Sequence, residues 1–170
     1  MQAPPAVPFD DVTNGYVPWS MSSKVPCAPS NRMERPAFIE RNQGQLKELA
    51  AKIPVPSILG YVGRVKNGTG KSIANKAALI CAGRVVFEQS KMLLPTYDVF
   101  DESRYFEPGP KTELTFLDGK PCGLSICEDL WNDEQFVPRP LYHSNPVGVL
   151  ADEGANILLN ISASVFEINL

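Results

Sequence analysis

Two different periods of apolar residues organise this chain. From Phe38 to Ala50 the apolar positions Phe38, Ile39, Leu46, Leu49 and Ala50 recur at helical spacing, while Glu40, Arg41, Gln45, Lys47 and Glu48 fill the other face. Arg35-Pro36 suits a first helical turn, and Pro54 sets the limit of the helix. Strands are predicted over 57–64, 75–81 and 84–89, with turns at Asn67–Gly70 and Ala82-Gly83. Further strands are predicted over 112–116, 121–127 and 156–161. A short helix over Pro146–Glu153, ended by Gly154, lies between the last two. The runs Gly123–Ile126 and Ile157–Ile161 lack clean alternation, as in strands buried on both faces. The pattern is mixed α/β with a central sheet.

Residues 1–33 follow neither period. Pro4, Pro5, Pro8, Pro18, Pro26 and Pro29 fall there, and the segment reads as an irregular arm preceding a domain over 34–170. It has neither a basic start nor an apolar core, so a secretory signal is not expected, and no apolar run approaches a membrane span. Sixteen Lys and Arg against 19 Asp and Glu give a net charge of −3, which argues against nucleic acid as a partner. The four cysteines, Cys27, Cys81, Cys122 and Cys127, form no CxxC pair, and His143 is the only histidine. A disulfide framework and a Cys/His metal site are therefore not expected, and a reducing, cytoplasmic setting is.

Few segments carry chemistry. Gly63 to Ser72 looks briefly like a phosphate-binding loop, but the position five residues before Gly70 is Val65, and a glycine-rich hairpin turn is the better reading. Asn67-Gly68-Thr69 and Asn160-Ile161-Ser162 match the glycosylation sequon by chance in a chain not expected to be secreted. Cys127 is the sharpest candidate. It ends an apolar strand, at the sheet edge where α/β folds place their chemistry, and the next backbone N–H can face an oxyanion. Its bland alternative is a buried structural cysteine, which the acidic neighbours Glu128 and Asp129 favour unless a cation offsets them. Lys91 can be that cation, or simply a solvated charge. The loop Asp101–Gly109 gathers carboxylates and reads otherwise as a solvated turn with an internal Arg–carboxylate pair. A Cys–His dyad with His143 is the rival catalytic arrangement.

Three segments in order carry a resemblance: Lys91-Met-Leu-Leu-Pro-Thr-Tyr-Asp-Val-Phe-Asp-Glu-Ser-Arg-Tyr-Phe-Glu-Pro-Gly109, Gly123-Leu-Ser-Ile-Cys-Glu-Asp-Leu-Trp131 and Gly154-Ala-Asn-Ile-Leu-Leu-Asn-Ile-Ser-Ala-Ser164. Together with Arg35–Asn42 they resemble the carbon–nitrogen hydrolase (nitrilase-like) superfamily. More narrowly, they are similar to the glutaminase domains of glutamine-dependent NAD synthetases. The resemblance implies an α-β-β-α sandwich, incomplete at both ends. It also implies a glutamine amidohydrolase that supplies ammonia for NAD biosynthesis through a cysteine thioester. Cys127 would be the nucleophile, Lys91 the cation beside it and Glu102 a supporting glutamate. Tyr97, Glu128 and Ser164 would contact L-glutamine. No cofactor or metal serves that step; ATP and Mg belong to a synthetase domain that has no match in this sequence.

The sequence departs from the family in two places. The general-base glutamate that precedes the Arg-Pro-Ala-Phe segment has no counterpart around Pro18–Lys24, and the only earlier carboxylates are Asp10 and Asp11. After Ser164 the Ser-Pro-Phe continuation is replaced by Val165-Phe166-Glu167. The expectation is a partial domain with little or no glutaminase activity. Its rivals are a stand-alone hydrolase of another small amide or nitrile, with Asp10 or Asp11 as base, and a non-catalytic fragment. The last would pair through an open sheet edge with a second copy or a full-length relative.

Overall fold

The computed structural model describes residues 35–65, 70–96, 101–132 and 139–162. The predicted arm, the centre of the Asn67–Gly70 turn, Tyr97 and Ser164 lie outside them. The elements in order are helix α1 (Pro36–Ala50), strands β1 (Ser57–Arg64), β2 (Ile73–Cys81) and β3 (Arg84–Ser90), helix α2 (Glu102–Tyr105), strands β4 (Leu114–Leu117) and β5 (Lys120–Ile126), helix α3 (Pro146–Asp152) and strand β6 (Ile157–Ile161).

The strands form two sheets, as the sandwich of the resemblance implies. One holds β1-β2-β3 in that order, both pairs antiparallel, and the other holds β4-β5-β6 with β5 and β6 parallel. Two-residue turns at Ala82-Gly83 and Asp118-Gly119, all four residues at positive φ, close the β2–β3 and β4–β5 hairpins. A parallel pair cannot be closed so tightly, and the β5-to-β6 crossover contains α3.

Period-2 alternation explains the layering. Leu59, Tyr61, Ala78 and Ile80 face outward from the first sheet and pack with Leu46 and Ala50 of α1. Alternate residues face inward: Ala77 with Ile58 and Phe87 meets Leu124, Ile126, Leu159 and Ile161 of the second sheet. Helix α3 caps the far side through Leu150, which is fully buried. The order is helix, sheet, sheet, helix, the sandwich that the resemblance implies. Helix α1 turns Ile39, Leu46 and Ala50 to the core. Phe38 and Leu49, expected on the same stripe, lie at its margins and stay about two-fifths exposed.

The expectation of two doubly buried strands holds for β5 alone. Strand β6 is an edge of its sheet among the described residues, and Leu158 on its outer side is 43% exposed. Gly123 marks how tightly β5 is covered. A Cβ there would lie 2.8 Å from Leu150 Cδ1 and 2.9 Å from Leu158 Cδ2. Gly123→Ala is expected to lower stability by about 2 kcal/mol, as overpacking of a filled core does. An unchanged urea midpoint would show that α3 lifts freely from the sheet.

Candidate active site

Strand β3 runs past Ser90 into an extended segment held on both sides. Lys91 N–H donates to the Asn75 carbonyl (2.8 Å) and the Lys91 carbonyl accepts from Gly109 N–H (2.8 Å). The glycine of the Glu-Pro-Gly run is required by this approach, since a Cβ at Gly109 would sit 2.6 Å from the Ser90 carbonyl oxygen. The backbone is thereby fixed where Lys91 turns inward. Its side chain is 1% exposed, so it is no solvated charge.

The acidic loop divides its carboxylates. Arg104 pairs with Asp101 at 3.7 Å on the surface, as the bland reading of this loop expects. Glu102 turns inward instead: its N–H donates to the Pro95 carbonyl (3.1 Å), and its Oε1 accepts from Lys91 Nζ at 2.8 Å. Its other oxygen, Oε2, is buried with no hydrogen-bond partner among the described residues.

Cys127 opens a single 3-10 turn, Cys127–Leu130, directly after β5. Its φ is +47°, a conformation that non-glycine residues adopt at a cost and that clusters at functional sites. The residue is partly exposed, and its side chain borders the cluster of Ala77, Leu124 and Ile126. It is thus neither free in solvent nor sealed in the core.

Asp129 joins these two regions. Its Oδ1 accepts from Met92 N–H (3.0 Å) and Leu93 N–H (2.8 Å), and its Oδ2 accepts from Ile126 N–H (3.1 Å). One carboxylate therefore ties the residues just after Lys91 to the residue just before Cys127. The side chain is 2% exposed. Burial pushes its pKa up to about 6, against the pull of the three N–H donors and of the Lys91 charge. Sequence reasoning treated Asp129 only as a threat to the thiolate. A carboxylate inside an apolar turn was the available signal that backbone donors lay nearby.

Glu128 is also buried, and its Oε1 accepts from Tyr142 O–H at 3.2 Å. The segment bearing Tyr142 is clamped by buried Asn132, whose Nδ2 donates to the carbonyls of Tyr142 (3.0 Å) and Ser144 (2.7 Å). Neither Asn132 nor Tyr142 stood out in the sequence, because a side chain bonded to distant backbone leaves no periodic trace. His143, in the same segment, is exposed and makes no hydrogen bond to Cys127. The structure thus brings the Lys91 segment, Glu102, Cys127 and Glu128 into one region. Tyr97 and Ser164 fall outside the described residues.

A cavity of about 610 Å³ lies elsewhere, between α1 and the outward side of the first sheet, lined by Leu46, Tyr61, Lys76, Arg84 and Glu88 among others. Its floor holds Tyr61, hydrogen-bonded to Glu88, with its phenol ionisation pushed up first by burial and then by Glu88. It contains no nucleophilic thiol, and none of the Cys127 group lines it. No helix among the described residues is long and apolar enough to cross a membrane.

Over 144 residues the chain is 41% identical to the glutamine-dependent NAD(+) synthetase of Synechocystis sp., a match covering 81% of this chain and 26% of that protein. The solved glutamine-dependent NAD+ synthetase of Acinetobacter baumannii aligns with a TM-score of 0.65 at 25% identity, over 83% of this chain and 24% of that one. A carbon–nitrogen hydrolase from Helicobacter pylori aligns with a TM-score of 0.54 at 28% identity, over 78% of this chain and 43% of that one. No protein-family model matches. The chain spans about a quarter of the length of the curated relatives it matches.

Proposed function

This chain belongs to the carbon–nitrogen hydrolase (nitrilase-like) superfamily, akin to glutamine-dependent NAD(+) synthetases, and on that premise we propose that it carries the thiol side of a glutamine amidohydrolase site. The observation that carries this reading is the Asp129 bridge, which seats the segment of a buried lysine beside a strained cysteine turn. The Cys127 thiolate attacks the side-chain amide carbon of L-glutamine. A C–S bond forms and the carbonyl π pair moves to oxygen. The Lys91 ammonium and the Glu128 N–H face that oxyanion. Collapse breaks the C–N bond, the nitrogen takes a proton, and ammonia leaves a thioester on Cys127. Water then attacks the thioester, releasing glutamate and restoring the thiol.

Glu102 supports the lysine through the 2.8 Å ion pair. Tyr97, Glu128 and Ser164 are assigned to the substrate, and Tyr142 holds the Glu128 carboxylate through its O–H. A base is needed for proton transfer in both halves of the cycle. The segment before Glu34 contains no glutamate, and Glu102 is already engaged by Lys91. Turnover is therefore expected to be slow or absent, while the thiol still reacts. Amide cleavage itself uses no cofactor or metal; ATP and Mg are assigned to a separate synthetase step. The chain is assigned to the cytoplasm, in keeping with free Cys81, Cys122 and Cys127. The β6 edge, open among the described residues, and exposed Phe116 and Leu158 favour pairing with a second chain, whether a copy or a longer relative.

The test is covalent capture. A chloroketone analogue of glutamine should alkylate Cys127 of the 170-residue chain, L-glutamine should protect it, and Cys127→Ala should abolish the adduct. Ammonia release from glutamine should be barely above background. Brisk Cys127-dependent release would overturn the expected lack of a base. Labelling that glutamine fails to slow, but another amide or a nitrile does, would transfer the site to a different substrate.

A further inference from the structure

Asn160 lies on β6 directly opposite Ser125 of β5, on the face that carries Leu158, and its half-buried side chain reaches across to the neighbouring strand. Its Nδ2 donates to Ser125 Oγ at 3.0 Å and to the Cys127 carbonyl oxygen at 3.4 Å. Ser125 is 2% exposed, and its O–H donates to the Leu159 carbonyl at 3.5 Å. A carbonyl can only accept, so the amine end of Asn160 must face Cys127. The sequon asparagine is thus bonded twice, across to β5 and to the turn that follows it.

The carbonyl it holds is a particular one. Cys127 C=O and Glu128 N–H belong to one planar trans peptide and point in opposite directions. A donor on the carbonyl oxygen therefore fixes the plane of that peptide and polarises the N–H at its other end. It does so at a residue whose φ of +47° makes the plane costly to hold. We propose that Asn160 is a positioning residue that orients and polarises the Glu128 N–H toward the oxyanion formed on attack by Cys127. The inference rests on the reading of Cys127 as an acyl-transfer nucleophile.

Two electrophiles separate this role from a merely structural one. Iodoacetamide alkylates the thiolate by displacement of iodide and develops no oxyanion. The aldehyde 5-oxopentanoate has the carbon chain of glutamine without the amine that would let it cyclise. Addition of the Cys127 sulfur to its carbonyl carbon forms a C–S bond, breaks the C=O π bond and leaves an alkoxide, protonated to the hemithioacetal. Its reversible binding is read as protection of Cys127 from iodoacetamide, followed by peptide mass spectrometry. Asn160→Ala and the isosteric Asn160→Asp, which has no N–H to give, should each raise the half-protecting aldehyde concentration about tenfold, a fraction of what loss of a direct oxyanion donor costs. Alkylation by iodoacetamide alone should stay within about twofold of the parent, since it asks for no such donor. Ser125→Ala should shift protection in the same direction by less. Unchanged protection in the Asn160 variants overturns the proposal, and so does an equal fall in both reactions, which would mark a collapsed turn. Absence of aldehyde protection in the unsubstituted chain removes the acyl-transfer reading, and this inference with it.

Discussion

Lys91→Met should destabilise the chain by about 3 kcal/mol, the lower end of what breaking a buried ion pair costs. It should also slow alkylation of Cys127 by the glutamine chloroketone about a hundredfold, the scale on which a lost cation acts on a thiolate and its oxyanion. The two effects have different origins. The ammonium is 1% exposed and Glu102 about a fifth exposed, so removal of the lysine strands a carboxylate that already has one oxygen without a partner among the described residues. Methionine fills most of the space but donates nothing. Adding Glu102→Gln to Lys91→Met removes the stranded charge and should restore most of the stability, read as the urea midpoint. It cannot restore the cation, so the slow alkylation should persist. Recovery of both in the double variant would make Lys91 a structural lysine only, and the amide-cleaving assignment would lose its cation.

Much of this arrangement was legible from residues alone, and the limits have physical causes. Helix α1 and the β1–β3 hairpins follow from period and turn chemistry, because those are local. The division into two sheets is not local. It depends on the chain leaving the first sheet after Ser90, and the bonds that seat the following segment, such as Gly109 to Lys91 and Glu107 to Ile73, join residues far apart in the sequence. Lys91 read from composition is a surface lysine; only the inward turn of Glu102 reverses that. Asp129 and Asn160 act on backbone groups of other segments, and a sequence carries no record of such pairings. The β6 run has the composition of a buried strand but an edge position among the described residues, so its apolar content does not report its burial.

The pH dependence of Asp129 should run opposite to that of an aspartate whose pKa is lowered by an ion pair. Its folded pKa of about 6 exceeds its ordinary 3.8. Between those values the folded chain holds a proton that the unfolded chain has released. This group's contribution is therefore complete below about pH 4 and is lost as pH rises through 6, by on the order of 3 kcal/mol. Asp129→Asn abolishes the titration and keeps one acceptor for Met92 and Leu93, but sets an NH₂ group against the Ile126 N–H. It should be less stable than the parent by about 3 kcal/mol at pH 4, the combined cost of an unpaired buried donor and a lost acceptor. The gap should narrow toward neutral pH. Asp129→Ala leaves three backbone N–H groups unpaired, should cost about 4 kcal/mol, and should uncouple the Lys91 segment from the cysteine turn. Urea titrations of the three proteins from pH 4 to 7.5 measure all of this, and subtracting the variant cancels the other carboxylates. A gap between parent and Asp129→Asn that widens with pH would mean that the three N–H donors outweigh burial and hold Asp129 ionised throughout. The bridge would then act as a charge lock rather than a neutral clasp.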